Sequence, residues 1–215
     1  MQPPQNPIEI YQFRVVLRET SPHIWRRFLV RSASSLVDLH QTIQIAFGWS
    51  GRRAFAFKVQ GHRHGVQLEG DAREMRLADF RLYVKERFTY TYNTVDQESR
   101  SWRFAIRLEQ KLAVDARQHY PRCIGGVGAP PPELCGGPIA FESLRDLFTP
   151  EYVVWRTEEM RAEGWKAEHE EELRHLQLWI HRKLDRRAIN QQLRQVSNDT
   201  RKEDRSHEGT DSGHY

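Results

Sequence analysis

Hydrophobic and polar residues alternate over two neighbouring stretches near the amino terminus, residues 11–17 and 24–30. Side chains of a β-strand point alternately to its two faces, so this period of two predicts strands with one buried face. Ser21-Pro22 separates the two stretches and supplies turn-forming residues. We therefore predict an antiparallel hairpin at the start of the fold.

The same alternation returns in residues 88–92 and 102–108, on either side of a charged segment. These stretches predict a second hairpin, whose long polar loop over residues 93–101 lies at the surface. Residues 54–59 predict a further strand. The histidines of the turn that follows, His62 and His64, could bind a metal, but we expect them to face solvent.

One helix is predicted both from its ends and from its apolar stripe. Ser35 and Asp38 form a capping-box sequence, and apolar residues recur at helical spacing until Gly48 supplies a stop. His40 lies on the same stripe, so we expect a core histidine whose hydrogen bonds are satisfied. Trp49 follows the stop, where its ring can cover the helix end.

From Glu151 onward the sequence is typical of charged helices with two apolar stripes and a break near Asp185. The stripes consist of Leu173, Leu176, Ile180 and Leu184, and of Ile189, Leu193 and Val196. We expect three tryptophans to anchor these helices on the sheet, namely Trp155, Trp165 and Trp179.

These elements predict one α+β domain over residues 8–196. It combines an antiparallel sheet of two or more hairpins with a helix after the first hairpin and a helical C-terminal region. A chain of 215 residues of which 38% are hydrophobic is long enough to bury a core. Residues 1–7 are rich in proline, glutamine and asparagine and are expected to form a flexible arm. Residues 197–215 hold no apolar residue before Tyr215 and are expected to form a disordered tail.

The most unusual stretch is residues 120–138, which hold both cysteines, two Gly-Gly pairs and five prolines. Proline removes backbone donors and glycine opens left-handed conformations, so we predict a loop rather than a helix or a central strand. Paired glycines and a proline triplet specify particular turns, which favours an ordered loop over a flexible linker.

Charge and composition set weak limits on the partner. The formal net charge of +4 is compatible with an acidic partner such as nucleic acid but does not demand one. The first residues lack the basic and apolar segments of a secretory signal, and no stretch is as long as a membrane span. We expect a cytoplasmic protein without a membrane partner, whose two cysteines are thiols.

Several segments carry a resemblance to a known family: residues 21–27 (SPHIWRR), Leu39-His40, residues 47–49 (FGW), residues 120–126 (YPRCIGG), Pro132-Glu133 and residues 136–138 (GGP). In order and spacing they resemble the plasmid ORF-3-like family, also labelled transposon-passenger TnpR-like. The resemblance implies a bacterial α+β protein that is often encoded on plasmids or near mobile elements, and it implies no assigned activity.

The chain departs from the family pattern in two places, which marks it as a divergent member. Residues 50–57 (SGRRAFAF) replace a histidine-containing stretch, and residues 92–96 and 102–104 replace polar motifs of the second hairpin. The sequence also lacks the nucleophilic serine with an arginine cluster, and the separate helix-turn-helix, that a serine resolvase needs. The family label therefore does not indicate recombination.

We expect the Pro/Gly loop and the basic-aromatic segment near it to form a non-catalytic interaction surface for a protein or a nucleic acid. Its predicted residues are Trp25, Arg26, Arg27, Trp49, Pro121, Arg122, Gly125, Gly126, Gly136 and Gly137. Two alternatives stay open. The arginine pairs can be ordinary solvated surface or sheet-edge protection, and the loop can act only as a structural lid.

An enzyme centred on Cys123, Cys135 and His119 is the alternative function. The two thiols and the imidazole could hold a metal, or a thiolate could act as nucleophile. The cysteines lack the close C-x2-4-C spacing of structural zinc sites, so two thiols packed under a rigid loop are the simpler interpretation. We expect no cofactor.

Overall fold

A computed structural model describes residues 7–65, 70–92, 101–133, 135–145, 150–166, 169–170, 172–174 and 184–196. Most of the predicted arm, most of the loop of the second hairpin, Leu176, Ile180 and Trp179 of the predicted helices, and the predicted tail lie outside these residues.

The first predicted hairpin is confirmed. Strand β1 (Ile10–Leu17) pairs antiparallel with β2 (Trp25–Arg31). Tyr11, Phe13, Val15 and Leu17 are buried on the core side of β1, as the alternation predicts. The opposite side of this hairpin carries Gln12, Arg14 and Val16, which are only partly buried.

Helix α1 (Leu36–Phe47) follows the hairpin with the predicted ends. The Ser35 side chain accepts a hydrogen bond from the Asp38 amide, and the Asp38 carboxylate accepts one from the Ser35 amide. Gly48 ends the helix with φ of 65°, a left-handed conformation that glycine adopts without steric cost.

The remaining antiparallel strands are β3 (Phe55–Val59), β4 (His62–Gly65), β6 (Arg87–Tyr92) and β7 (Trp102–Leu112), and the short β5 (Gly70–Asp71) pairs parallel with β4. The predicted second hairpin is confirmed as β6 and β7. His62 is exposed as expected, but His64 lies in a strand with only 9% of its surface exposed and contacts the Phe80 ring, so its predicted exposure is wrong.

The sheet order is β5-β4-β3-β6-β7-β1-β2-β8, with β8 formed by Arg122–Val127. Strand β7 of the second hairpin therefore pairs with β1 of the first hairpin and joins the two hairpins into one sheet. One face of this sheet packs α1 into a core rich in aromatic rings, among them Phe13, Phe47, Tyr90, Trp102 and Phe104. The α+β fold with an antiparallel sheet is confirmed.

The loop predicted over residues 120–138 is wrong for its first part, because β8 is a strand. Gly125 and Gly126 allow β8 to lie close against β2, where Trp25 to Leu29 pair with Val127 to Arg122. An edge strand needs a partner on one side only, so its glycines are tolerated. The later part of the segment leads without a strand into helix α2 (Pro138–Arg145).

Helical structure dominates the described C-terminal region. Helix α3 spans Pro150–Ala162, and residues 186–196 form the helix α4, whose Ile189 and Leu193 are buried in the core. The predicted anchoring role is wrong for Trp155 and Trp165, which are 53% and 51% exposed. The apolar residues of α3 are spread around the helix instead of along one stripe, and Met160 is its buried side chain. Within the described residues, no helix has the length and apolarity needed to cross a membrane.

Candidate nucleic-acid interface

The predicted interaction surface is divided between the two faces of the sheet. Trp25 and Arg27 lie on the face opposite the core and are partly exposed, and Gly125 of β8 lies beside them. Arg26 and Trp49 are buried on the core side, with 1% and 6% of their surfaces exposed. These five residues therefore cannot contact one partner at one surface, and the two faces have to be considered separately.

The Arg26 side chain is buried and forms its hydrogen bonds within the fold. Its Nε donates to the Ala46 carbonyl at the end of α1 (3.2 Å), and Nη1 and Nη2 donate to the carbonyls of Val127 and Gly128 at 3.0 Å. The guanidinium also lies 4.9 Å from the centre of the Phe47 ring. Burial lowers the pKa of Arg26 to about 10, so the side chain stays charged at neutral pH. One arginine thus ties β2, α1 and the end of β8 together.

The rest of the Pro/Gly segment is fixed to the same side through Trp49 and Glu133. Trp49 Nε1 donates to the Pro131 carbonyl (2.8 Å), and the Ser50 amide donates to Glu133 Oε2 (2.7 Å). The Tyr92 hydroxyl donates to Glu133 Oε1 at 2.6 Å. These contacts support the lid interpretation of this part of the segment.

The remaining predicted surface residues of the segment have local partners. Pro121 and Arg122 are partly buried, and Arg122 donates to the Gln118 side chain. Gly136 and Gly137 adopt φ of 92° and 94°, and the Gly137 carbonyl accepts a hydrogen bond from the Phe141 amide at the start of α2. They therefore shape a turn into a helix instead of presenting a binding surface.

His40 is a satisfied core histidine, as its place on the apolar stripe predicts. Its Nε2–H donates to the Gly51 carbonyl (3.3 Å), which leaves Nδ1 to accept from the Tyr90 hydroxyl (2.6 Å). Gln44 Nε2 donates to the same hydroxyl at 2.7 Å, and the imidazole stacks on Phe55 with ring centres 3.9 Å apart. Burial lowers the pKa of His40 to about 4, so the ring is neutral at pH 7.

The candidate thiol and metal residues are packed locally. Cys123 and Cys135 have raised pKa values because they are buried, about 11 for Cys135, which lowers their thiolate fraction at neutral pH. Arg194 Nε lies 3.2 Å from Nε2 of His119. Across the part of the chain that the structure describes, no three His, Cys, Asp or Glu side chains are grouped so as to hold a metal ion. The enzymatic alternative stays a prediction for thiol titration and elemental analysis.

Sequence reasoning missed the main feature of the open face of the sheet, which we define as the face opposite the core. Arg27 of β2 is directly opposite Arg14 of β1, Arg14 is opposite Arg107 of β7, and Arg107 is opposite Arg87 of β6. These four arginines form a row across four adjacent strands, the arginine row. Strands lie about 4.8 Å apart, so the row spans roughly 14 Å.

The arginine row is poorly neutralised. Glu109 accepts two hydrogen bonds from Arg27, at 2.6 and 3.0 Å from Nε and Nη2, and the guanidinium lowers the pKa of Glu109. No carboxylate of the described residues forms an ion pair with Arg14, Arg107 or Arg87. The Nε atoms of Arg14 and Arg107 are covered and lack a hydrogen-bond partner among the described groups. Like charges directly opposite one another in a sheet are destabilising, so this arrangement costs stability.

Trp25 adds an aromatic group to the arginine row. The guanidinium groups of Arg14 and Arg27 lie 4.7 and 5.2 Å from the centre of its ring. Such cation–π contacts hold the two long side chains near the sheet surface. An arginine pair around a partly exposed indole can bind both the phosphates and the flat bases of a nucleic acid.

A second basic region continues the open face beyond the arginine row. A groove of about 530 Å³ runs over β3, β4, β6 and β7, and its charged lining residues are Lys58, Arg63 and Arg103. Lys58 is directly opposite Arg63, another pair of like charges. Arg103 lies 3.4 Å from the Glu19 carboxylate. The hydroxyl groups of Thr89 and Thr91 line the same groove and can donate hydrogen bonds to an anion.

Most of the chain matches one protein family. The family described as plasmid pRiA4b ORF-3-like protein matches residues 9–192. The chain belongs to this family. A curated relative, the uncharacterized protein y4hQ of Sinorhizobium fredii, is 25% identical over 142 residues, which are 63% of this chain and 71% of the relative.

The fold is also found in a solved structure, that of a protein of unknown function, MM3350 from Methanosarcina mazei Go1. It has a TM-score of 0.61 and 24% sequence identity, and the match covers 70% of this chain and 90% of that protein. This likeness shows a shared fold.

The residues that carry the plasmid pRiA4b ORF-3-like resemblance lie mainly on the core side of the sheet. Arg26, His40, Trp49 and Glu133 all belong to the contacts that fix α1 and the Pro/Gly segment. Of the arginine row, only Arg27 lies in a segment that carries the resemblance. The segments that carry the resemblance therefore include residues that hold α1 and the Pro/Gly segment against the sheet, and they do not include Arg14, Arg87 or Arg107.

Proposed function

We propose that the protein is a non-catalytic module that binds single-stranded nucleic acid on the open face of its sheet. The observation that carries the proposal is the arginine row, in which Arg14, Arg107 and Arg87 stand side by side without an ion-pair partner among the described carboxylates. A bound polyanion would supply the missing negative charges. Guanidinium groups suit this task because their forked donors match the oxygens of a phosphate.

Ordinary surface chemistry does not account for the row. Charged side chains protect sheet edges from pairing with other chains, but β1, β7 and β6 are interior strands with a neighbour on each side. Solvated arginines on interior strands are commonly interspersed with acidic residues, whereas here one glutamate faces four arginines. The cost in stability favours a function for the row.

The shape of the surface favours a single strand over a duplex. The major groove of DNA admits a helix or a two-stranded ribbon, and the interior strands of an eight-stranded sheet present neither. Proteins that bind single strands combine basic surfaces that follow the backbone with aromatic rings on which bases stack. The arginine row and Trp25 supply both groups on one face.

Titration of a fluorescent single-stranded oligonucleotide at several salt concentrations tests the proposal. Each phosphate contact contributes about 0.7 to the slope of log K against log salt, so the double variant Arg14→Gln/Arg107→Gln should lower the slope by about 1.4. It should also fold at least as stably as the natural protein, because two repulsive neighbours are removed.

The matched control is Arg52→Gln/Arg73→Gln, which removes the same charge from exposed arginines away from the sheet face. We expect this control to keep the natural slope. Salt-independent binding, or equal losses in both double variants, would exclude the arginine row as the interface. Tighter binding of a duplex of equal length would replace the single strand by a double-stranded partner.

The setting of this function is part of the same proposal. A cytoplasmic, mobile-element-associated protein would meet single-stranded nucleic acid during plasmid replication or transfer. The transposon-passenger subtype stays a prediction.

A further inference from the structure

A second basic site lies at the outer edge of the sheet, separate from the arginine row. A cavity of about 760 Å³ opens between β8 and α4. Four of its lining residues are arginines, Arg122 from β8 and Arg186, Arg187 and Arg194 from α4, and Asp185 is the acidic residue of the lining.

Hydrogen bonds and core packing hold β8 and α4, the two elements that line this cavity, in place. Asn190 of α4 pairs with the main chain of Cys123: its Oδ1 accepts from the amide at 2.8 Å and its Nδ2 donates to the carbonyl at 2.9 Å. Ile189 and Leu193 bury the other side of α4 in the core. The spacing between β8 and α4 is therefore fixed by hydrogen bonds and packing, so the arginines on the two elements are preorganised relative to one another.

Among the described residues, the hydrogen bonds of three of these arginine side chains go to neutral groups. Arg186 Nη1 donates to the Ile124 carbonyl (3.0 Å), Arg122 Nη1 donates to Gln118 Oε1 (3.1 Å), and Arg194 Nε approaches the ring of His119. None of the four forms an ion pair with a described carboxylate. Each guanidinium has five N–H donors, so these contacts leave donors for a ligand.

Asp185 does not neutralise this cluster by direct pairing. Its Oδ1 accepts hydrogen bonds from the amides of Arg187 and Ala188, both at 3.0 Å, and so caps the start of α4. Burial lowers the pKa of the neighbouring His119, and the charges of Arg194 and Arg122 act in the same direction.

The lining also limits what can bind. Ile124, Leu184 and Cys123 are its apolar members, and none of the described residues that line the cavity has an aromatic ring on which a base could stack. We propose that this cavity binds a phosphate monoester dianion through the guanidinium groups of Arg122, Arg186, Arg187 and Arg194. A monoester carries a charge of about −1.5 to −2 at pH 7, more than the single charge of a backbone phosphate, and suits a cluster of four cations.

Two sources can supply this phosphate. One is a small free phosphate, and the other is the terminal phosphate of a nucleic acid strand. The position of the cavity fits the second source. Arg186 donates to the Ile124 carbonyl, and the next residue, Gly125, is directly opposite Arg27 of the arginine row. The first source does not depend on the proposed function of the open face.

Calorimetric titration of the full chain with inorganic phosphate, at constant ionic strength set with sodium chloride, tests the site. We expect saturable binding with one site per chain. Arg187→Gln should weaken it at least tenfold without unfolding the protein, because no side-chain contact of Arg187 within the described residues is lost. Arg52→Gln is the matched control and should bind phosphate like the natural protein.

Oligonucleotides with a 5′-phosphate or a 5′-hydroxyl separate the two sources. At least fivefold tighter binding of the phosphorylated strand, abolished by Arg187→Gln, would assign the cavity to a strand end. Phosphate binding without such a preference would assign it to a small phosphate. The proposal is overturned if inorganic phosphate does not bind saturably and the 5′-phosphate brings no preference, or if Arg187→Gln behaves like Arg52→Gln.

The same titrations separate this proposal from that of the open face. Arg14→Gln/Arg107→Gln should leave inorganic phosphate binding unchanged, since neither residue lines the cavity. A strand with a 5′-hydroxyl reports on the open face alone. If this strand does not bind, the proposed function of the open face is excluded, but the result with inorganic phosphate still stands.

Discussion

The two faces of the sheet treat neighbouring arginines in opposite ways. Arg26 points into the core, where carbonyl groups at the ends of α1 and β8 accept its hydrogen bonds. Arg27 points to the open face, where one glutamate pairs with it and an unpaired arginine stands opposite. Both residues are adjacent in a strand, and the period of two of that strand alone separates a structural role from a surface role.

The hydrogen bonds of four core-side residues differ from those of the arginine row. On the core side, Arg26, His40, Trp49 and Glu133 have partners within the fold. On the open face, Arg14 and Arg107 have buried Nε atoms without hydrogen-bond partners among the described groups. The open face therefore carries guanidinium groups with which a bound anion could pair.

Replacing Arg26, on the core side, should have the largest effect on the free energy of unfolding. Arg26→Met keeps much of the side-chain volume but leaves the carbonyls of Ala46, Val127 and Gly128 without donors, so we expect a loss of at least about 3 kcal/mol in the free energy of unfolding. Arg27→Met is the control and should cost about 1 kcal/mol or less, because it breaks one partly exposed ion pair. Urea denaturation compares the two variants, and equal losses in the free energy of unfolding would contradict the structural role of Arg26.

Lowering the pH should destabilise the folded protein through His40, which is buried on the core side. Its pKa is about 4 in the folded protein and about 6.5 in the unfolded chain. Between these values the unfolded chain binds a proton that the folded protein does not, so stability falls as the pH falls from 6.5 to 4, by about 3 kcal/mol in total. His40→Asn should remove this contribution from the pH dependence of urea denaturation. An unchanged pH dependence in the variant would show that the folded imidazole protonates freely.

The two glycines of β8 test how closely this strand packs against β2 on each face of the sheet. A Cβ at Gly126 would lie 2.6 Å from the Trp25 carbonyl oxygen and 2.9 Å from Arg26 Cδ, so Gly126→Ala should push β8 from β2 and cost about 1–3 kcal/mol. A Cβ at Gly125 would meet Trp25 and Arg27 at 3.9 and 4.0 Å, which is ordinary contact. Gly125→Ala should therefore change the melting temperature little. If both variants melt alike, the close approach on the core side is not a constraint.

The smallest expected effect comes from replacing Glu109 on the open face. Glu109→Gln frees Arg27 for a phosphate, so oligonucleotide binding should tighten and its salt slope should steepen by up to about 0.7. Glu74→Gln removes an exposed carboxylate outside the sheet face and is the control. A matching change in both variants would mean that net charge alone, and not Arg27, determines the affinity.

The strands and α1 could be predicted from sequence because their signals are local. Alternation marks β1, β2, β6 and β7, and the capping box and Gly48 mark α1. Strand β8 could not be predicted in this way. Its glycines resemble a loop, and only the contacts with β2 and Asn190 make it a strand.

The candidate site was predictable in part. Trp25 and Arg27 were predicted as surface residues, and both lie on the open face. Arg26 and Trp49 were predicted beside them but are buried. Arg26 alternates in phase with the buried Ile24, Phe28 and Val30, and its charge made burial unexpected. The arginine row depends on pairing between Arg14 and Arg107, 93 positions apart, which only the register of the sheet reveals.

The most direct measurement of the central claim is arginine footprinting. The protein is treated with methylglyoxal with and without a single-stranded oligonucleotide, and modification of each arginine is read by mass spectrometry. We predict protection of Arg14, Arg27, Arg87 and Arg107 on the open face, with unchanged modification of Arg52 and Arg73. Equal modification of the arginine row with and without the oligonucleotide would contradict binding at the open face of the sheet.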